Sequence, residues 1–319
     1  MRRKLLATAI LLSLISSASA ADVDLISDIY KNRNFDIALP GDIHISAFVF
    51  RDQEGDGQYH EGDRPMADVY VGLTGSAGET IYERSNIDGF ANFKASTTVE
   101  DVDVTLPGKY RFEVLPPPGW RVTTGNAVQE IELADLAGSP GGLVAKSLPS
   151  LVGLKNDTQP VVGSGHLPLS KGDQVTHIGF DDVIQSIAVK KLHNGYHGLQ
   201  WDNWVVAHQR FYKGEGYING TADGEFVAYN GSGHPMTVSR DKPFDFIGGQ
   251  FTAAWQDAEG ETALVTAWRG DQVVYKDEIK LSRFGPVNFQ ANYDRVTKVE
   301  FRTKHYWQVV ADDLRFILN

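Results

Sequence analysis

The chain has 319 residues and no cysteine, which excludes disulfide frameworks, thiolate zinc sites and cysteine nucleophiles. Its formal net charge of -11 argues against nucleic-acid binding, because neutralising phosphates requires a basic surface. A hydrophobic fraction of 42%, with 32 Gly, 12 Tyr, 16 Phe and 6 Trp, indicates a globular protein richer in strands than in helices.

The first twenty residues have the pattern of a secretory signal peptide. Basic residues at positions 2–4 precede an apolar stretch over 5–15, and small residues at 18–20 form a cleavage pattern before Ala21. The apolar stretch is too short to span a bilayer comfortably, and no later segment is long enough for a membrane span. The sequence therefore predicts a bacterial protein that is secreted or periplasmic, with a short lead segment over residues 21–40.

Strand-like segments follow at short, regular intervals. Each contains β-branched and aromatic residues and is bounded by Gly, Asp, Asn or Pro, which is the spacing of an all-β sandwich. The segments are 43–49, 69–73, 80–82, 90–93 and 110–114. They predict a first β module over residues 41–150.

A shift in composition separates this module from the rest of the chain. Residues 137–174 are rich in Gly, Ser, Pro and Lys, and we predict a linker over 151–174. Five of the six tryptophans follow, with further strand-like runs at 226–229, 251–255 and 263–268. The sequence therefore predicts a second β module over residues 175–319.

The loop after the first strand is rich in oxygen donors. Carboxylate and amide side chains alternate between positions 52 and 63 around Gly57, which allows a tight turn. A hard cation such as Ca²⁺ takes roughly 6–8 oxygen ligands in such a loop, and clustered carboxylates repel one another unless they are neutralised. The loop predicts a Ca²⁺ site; the alternative is a solvated Asp/Gly turn without an ion.

Three segments of this module resemble a known family. ISAFVFRDQEGDGQYHEGDRPMADVYVGLTG, NIDGFANF and LPGKYRFEVLPPPGW are similar to the B-type repeat of bacterial serine-aspartate repeat surface adhesins, over residues 41–135. The resemblance implies a transthyretin-like β-sandwich that binds calcium and serves as a spacer rather than an enzyme. The implied ligands are Asp52, Glu54, Asp56, the carbonyl of Gln58, and Asp63. Glu54 and Asp63 differ from the residue types that are usual at these positions in that family, and His60 stands where the family commonly has Asp.

Two acidic pairs lie at opposite ends of the second module, Asp181-Asp182 and Asp312-Asp313. They can meet only if the first and last strands are neighbours, as in a jelly roll. A structural cation would then neutralise the four carboxylates. The alternative is that they are ordinary strand-end acids facing water.

The second module carries a candidate glycan-binding loop. LHNGYHGLQWDNW, with FVAYNGSG and FTAAW downstream, resembles secreted jelly-roll domains of exosortase-sorted bacterial proteins, whose folds look like carbohydrate-binding modules. Sugars stack on aromatic rings while amide and carboxylate groups bind their hydroxyls. The predicted glycan-binding residues are Tyr196, Trp201, Asp202, Asn203 and Trp204. The alternative is that these tryptophans fill the sandwich core.

Catalytic motifs do not stand out in the sequence. His193 and His197 have the spacing of a helical zinc pair, but Gly195 and Gly198 disfavour a helix there. Neither a nucleophile elbow nor a phosphate-binding loop occurs. The sequence therefore favours a non-catalytic, calcium-stabilised binding or surface protein, whose partner is a glycan or another extracellular polymer. The alternatives are a glycan-active hydrolase with an unidentified carboxylate pair and a purely structural extracellular component.

Overall fold

The structure is a computed structural model that describes residues 44–94, 108–125, 127–133, 150–170 and 172–318. The chain divides into two compact units, Met1–Asp157 and Thr158–Asn319. The regular secondary structure that is described in both units is almost entirely strand, which confirms the all-β prediction. The predicted signal peptide and lead segment, residues 1–40, lie outside the described residues. Within the described residues, none of the helices has the length and apolar character needed to cross a bilayer.

The described part of the first unit contains nine strands in two sheets. The strands are β1 (His44–Arg51), β2 (Arg64–Pro65), β3 (Tyr70–Thr74), β4 (Thr80–Arg84), β5 (Phe90–Lys94), β6 (Gly108–Leu115), β7 (Trp120–Val122), β8 (Val128–Leu133) and β9 (Ser150–Asn156). One sheet has the order β2-β1-β9-β7, with β5 also paired to β1, and the other has the order β4-β3-β6-β8. Phe93 on β5 packs against Phe112 on β6 with ring centroids 5.5 Å apart, so the sheets share a core.

Strand β1 shows how period-two alternation builds this unit. Ile45, Ala47 and Val49 are fully buried in the core. Phe48 and Phe50 lie on the opposite face, where their rings stack with centroids 6.0 Å apart. Both faces of β1 are therefore apolar, and the second face needs a cover of its own.

The predicted linker over 151–174 requires a correction, because it contains two strands. β9 runs parallel to β1, from the pair Ala47 and Ser150 to the pair Arg51 and Leu154, and extends the first module to the boundary at residue 157. Strand β10 (Val161–Val162) belongs to the second unit and pairs with another strand of that unit. The Gly/Ser-rich composition concealed β9, whose Val152 and Leu154 are buried.

The second unit's described residues form one hydrogen-bonded network of strands, a short helix α1 (Glu215–Asn219) and three 3₁₀ turns. After β10 the strands are β11 (Thr176–Ile178), β12 (Val189–Lys191), β13 (Gln200–Asp202), β14 (Trp204–His208), β15 (Phe226–Asn230), β16 (Met236–Ala253), β17 (Thr262–Arg269), β18 (Gln272–Lys280), β19 (Val287–Thr303) and β20 (Val309–Ile317). The main order is β12-β14-β15-β20-β16-β19-β17-β18; β10 joins β19, β11 joins β20, and β13 joins β16.

The two long strands β16 and β19 allow this network to enclose a core. Their pairing contains register shifts between Ser239 and Gly248, and such bulges bend and twist a strand. Gly248 has φ +146°, and a Cβ at this position would overlap with the backbone of β19. The bend at this glycine therefore depends on the absence of a side chain.

Strand β11 pairs antiparallel with β20. The first and last strands of the predicted second module are therefore neighbours, which is the condition under which its two acidic pairs can meet. The pairing brings Ile178 opposite Leu314, directly before the segment that contains Asp181.

Candidate metal centres and ligand-binding surface

The loop of the first unit is folded around Asp52. Its side chain is buried, and its two carboxylate oxygens accept hydrogen bonds from the backbone amides of Gly55 at 2.5 Å and Gly57 at 2.8 Å. Burial raises the pKa of Asp52, but the Thr123 side chain and the backbone amides of Gly57, Gly55 and Asp56 stabilise the carboxylate more, so the pKa lies below its ordinary value. Asp52 is therefore a charged residue that shapes the loop.

Asp63 closes the same loop at its other end. Its buried carboxylate accepts hydrogen bonds from the amides of Gln53 at 3.0 Å and His60 at 2.8 Å. Asp56 accepts one from the amide of Gln58 at 2.9 Å. The loop is thus held in place by backbone amides that point at its own carboxylates.

A ring contact fixes the loop to the sheet. Tyr59 packs edge-on against Phe48 and Phe50 of β1, with both pairs of centroids 5.1 Å apart. The tyrosine therefore covers the apolar outer face of β1 and holds the donor-rich segment beside it.

Three residues of the loop are close enough to share an ion. Glu54, His60 and Asp63 each offer one ligand atom within 4.8 Å of the others. Asp56 lies next to this group, with its carboxylate 3.7 Å from the imidazole Nδ1 of His60. The structure thus gathers two of the five predicted ligands, Glu54 and Asp63, around a histidine that the sequence marked only as a departure.

The chemistry of this donor set fits a divalent cation. Carboxylate oxygens are ligands that Ca²⁺ prefers. A carboxylate that accepts a hydrogen bond from a backbone amide still has further lone pairs that can bind an ion. The imidazole of His60 is instead a donor typical of transition metals. Glu54, Asp56 and Asp63 are accordingly the side chains that would hold Ca²⁺ in this loop.

In the second unit, Asp312 on β20 is fully buried, with 0% of its surface exposed. Its carboxylate accepts hydrogen bonds from the amides of Ala222 at 2.7 Å, Asp223 at 3.1 Å and Asp313 at 2.7 Å. The pKa of Asp312 is raised to about 7, because burial and the nearby charge of Asp181, which raise it, outweigh the three amides, which lower it. Asp312 is thus a buried acid whose charge three amides only partly stabilise.

Asp181 approaches Asp312 beside Gly179. A Cβ at Gly179 would lie 3.6 Å from a carboxylate oxygen of Asp181 and 3.9 Å from one of Asp312, so both carboxylates flank this backbone position. Asp181 also accepts a hydrogen bond from the amide of Glu225 at 2.7 Å. Oxygen donors from two distant parts of the sequence therefore flank one backbone position, where they would supply part of the roughly 6–8 oxygen ligands that Ca²⁺ takes.

The other two predicted acids of this unit have partners elsewhere. Asp182 accepts a hydrogen bond from the hydroxyl of Tyr196 at 2.5 Å. Asp313 lies 2.8 Å from Nδ1 of His177 and 3.8 Å from the guanidinium of Arg315. The structure thus places two of the four carboxylates, Asp181 and Asp312, on either side of Gly179, and gives the other two side-chain partners elsewhere.

The predicted sugar-stacking surface at Trp201 and Trp204 is wrong, because both rings are in the core. Trp201 is 2% and Trp204 is 0% exposed. Their indole nitrogens donate to the backbone carbonyls of Tyr196 at 2.9 Å and Thr237 at 2.8 Å. Trp204 also packs edge-on against Phe301, with centroids 5.9 Å apart. Neither indole has a free face for a sugar.

The remaining residues of the predicted glycan site do not form a surface either. Tyr196 is buried and bonded to Asp182, whereas Asp202 is exposed. Asn203 directs its side-chain amide to the backbone carbonyls of Gly231, His234 and Pro235. Its role is therefore to hold a neighbouring loop.

Two exposed aromatic residues of this unit were not among the predicted binding residues. Phe211 is 41% exposed and Tyr306 is 67% exposed. Both lie in connections between strands, where exposed aromatic rings often serve binding. Their sequence signal was weak, because each stands beside a second aromatic residue that is more buried, Tyr212 and Trp307.

Comparison with known proteins gives distant likenesses only. No protein-family model and no curated protein match the chain. The minor pilin GBS52 of Streptococcus agalactiae superimposes on 38% of the chain and 47% of its own length, with 12% identity and a TM-score of 0.24. The M60 catalytic domain with the CBM51-1 and CBM51-2 domains of Clostridium perfringens ZmpB has 7% identity and a TM-score of 0.22, covering 90% of this chain and 32% of that one. The chain thus spans about half of the pilin and about one third of the second structure, and neither likeness establishes a family.

Replacing Trp204 with alanine should destabilise the second unit by about 3–5 kcal/mol, because it opens a cavity in the core. The exposed Phe211→Ala variant is the matched control and should change the unfolding free energy by about 0.5 kcal/mol or less. Urea denaturation followed by circular dichroism measures both. Equal stability of Trp204→Ala and the parent chain would contradict the core assignment.

The raised pKa of Asp312 predicts a pH dependence in EDTA-containing buffer. Because the folded state holds this proton up to about pH 7 and the unfolded state releases it near the ordinary value of 3.8, the contribution of Asp312 to the unfolding free energy should fall as pH rises through that window. The measurement is the unfolding free energy at several pH values for the parent, Asp312→Asn and the control Asp202→Asn. The unfolding free energy of Asp312→Asn should be lower overall and should no longer show the fall with pH that Asp312 causes. An unchanged pH dependence in this variant would refute the raised pKa of Asp312.

Proposed function

We propose that the chain is a secreted, non-catalytic binding protein of a bacterial surface or matrix, stabilised by Ca²⁺ and contacting glycan through its second unit. The observation on which the calcium part of this proposal rests is that the carboxylates of Asp181 and Asp312, which are distant in the sequence, both flank Gly179. A charged carboxylate buried beside a second acid is unfavourable unless a proton or a counter-charge offsets it. A bound Ca²⁺ would supply that charge.

The position of this pair shows what a cation would stabilise. Asp312 lies in β20, and Asp181 follows β11. Amides of residues 222–225, before β15, donate to the two carboxylates, and the amide of Asp313 also donates to Asp312. An ion held by both carboxylates would tie these three segments together. In the first unit, Glu54, Asp56 and Asp63 would hold Ca²⁺ in the loop that Asp52 shapes.

The secreted location and the absence of catalysis belong to the same proposal. A protein without cysteine that leaves the cytoplasm has no disulfides and must rely on core packing or on metal ions. The sequence supports secretion through its N-terminal pattern and offers no catalytic motif. Metal sites that stabilise two β units are consistent with a binding or spacer role.

Calcium should raise the melting temperature of the chain relative to EDTA. An ion that binds only the folded state adds about 2.7 kcal/mol at one hundred times Kd, which corresponds to about 5 °C or more for a unit of this size. Differential scanning calorimetry in EDTA and in millimolar CaCl₂ measures the shift. Identical melts would contradict the proposal.

Variants assign the shift to each site. Asp312→Asn should abolish the contribution of the second unit, and Asp56→Asn, which keeps an acceptor for the amide of Gln58, should reduce that of the first. Asp202→Asn removes one exposed charge elsewhere and should respond to Ca²⁺ as the parent does. A calcium shift that survives both site variants would place the ion at other residues.

Glycan binding and glycan hydrolysis are separable with the same secreted chain. A glycan array should show binding, and a reducing-sugar assay on each bound polymer should show no release. Release of reducing ends would favour the hydrolase alternative. Absence of both would contradict glycan binding and leave a structural component.

A further inference from the structure

A cavity of about 270 Å³ opens in the second unit between the end of β19, β17 and the 3₁₀ turn Gly231–Gly233. Arg302, Lys304 and Tyr306 line it together with Gly233 and Pro235, and we call it the Tyr306 pocket. It shares no lining residue with the acidic clusters of Asp181 and Asp312 or of the first unit. Its volume is at the small end of ligand sites and suits a single sugar ring of a longer chain.

Positive charge distinguishes this pocket on an acidic protein. Arg302 is exposed and forms no ion pair with the described residues, while Lys304 lies 3.2 Å from a carboxylate oxygen of Glu278 on β18. The formal charge of the whole chain is -11, so two cations that line one cavity run against the overall balance. A guanidinium presents paired donors that match the two oxygens of a carboxylate.

The aromatic wall of the pocket is held in an unusual conformation. Tyr306 has φ +61°, which is rare for a bulky side chain, and its ring is 67% exposed. His234 packs edge-on against the ring, with centroids 5.9 Å apart. A Cβ at Gly233 would overlap with the carbonyl oxygen of Tyr306, so only glycine allows the two turns to approach this closely.

Side-chain hydrogen bonds support the strained turns around the pocket. Asn203 and Ser232 also have positive φ, at +59° and +54°. Asn203 donates to the carbonyls of Gly231, His234 and Pro235 at 3.0–3.1 Å. The fully buried Asn230 donates to the carbonyl of His234 at 2.9 Å and accepts from the amide of Val309 at 2.6 Å. Strained residues that the surrounding structure holds in place are typical of preorganised binding sites.

We propose that the Tyr306 pocket binds an acidic sugar residue of a glycan. The pyranose ring lies against the exposed ring of Tyr306, and the sugar carboxylate accepts hydrogen bonds from Arg302 and Lys304. This inference rests on the proposed glycan binding by the second unit and adds the sugar class and the residues that select it. Uronate polymers and sialylated chains both present such a carboxylate on a pyranose ring.

Binding of defined oligosaccharides to the secreted chain tests the inference. The probes are a galacturonic acid tetramer, its methyl ester, which keeps the rings but removes the charge, and sialyllactose. Isothermal calorimetry should show binding of at least one of the two acids that weakens at high salt, and binding of the methyl ester that is about tenfold weaker or more.

Four variants locate the site. Arg302→Gln removes the unpaired cation, and Tyr306→Asn removes the ring but tolerates positive φ; each should weaken acid binding about tenfold or more. The matched controls are Lys191→Gln on β12, which lies at the opposite end of the strand order, and Ile187→Ala, an exposed apolar side chain that does not line the pocket. Both controls should bind within about twofold of the parent. Circular dichroism melts confirm that all four variants are folded.

The outcomes separate this inference from the proposed function. Acid binding that neither Arg302→Gln nor Tyr306→Asn weakens would overturn the pocket assignment, and equal binding of the acid and its methyl ester would overturn the carboxylate preference. In both cases glycan binding itself would stand. If the chain binds only neutral glycans, the inference fails alone. If it binds neither acidic nor neutral glycans, the proposed glycan binding and this inference fail together.

Discussion

Strand β20 is the element on which the second unit depends, because it pairs with β11, β15 and β16. Its side chains face two clusters: Leu314 and Phe316 point into the main core, and Val310 into the smaller aromatic cluster on the other face. A strand buried on both faces leaves no place for an unpaired charge. The buried carboxylate of Asp312 therefore requires the amides of residues 222, 223 and 313. A cation beside it would stabilise the same buried charge.

Each unit uses a buried aspartate to order a loop, and the two differ in their balance of charge. Asp52 has a lowered pKa, because its polar partners outweigh the cost of burial. Asp312 has three amide donors, yet deep burial and the neighbouring carboxylate of Asp181 leave its pKa raised. The charge of Asp52 is thus stabilised by the loop of the first unit, whereas the charge of Asp312 in the second unit is stabilised only in part.

The aromatic residues of the second unit divide into two groups by position. Trp201 and Trp204, which lie in strands, are buried with their indole nitrogens hydrogen-bonded to backbone carbonyls. Tyr306 lies in the turn before β20, where a positive φ and the close approach of Gly233 leave its ring exposed.

The sequence by itself determined the all-β class, the positions of most strands and the donor-rich loop, because period-two alternation and turn residues are local signals. It also led to the expectation that Asp181 and Asp312 could meet, since both lie beside the terminal strands of one module. Tertiary structure decided which face each strand turns to the core, and so buried Trp201 and Trp204. It also paired β9 with β1 and gathered Glu54 and Asp63 around His60. Alternation shows which residues share a face, but only long-range pairing fixes which face is buried and which distant side chains meet.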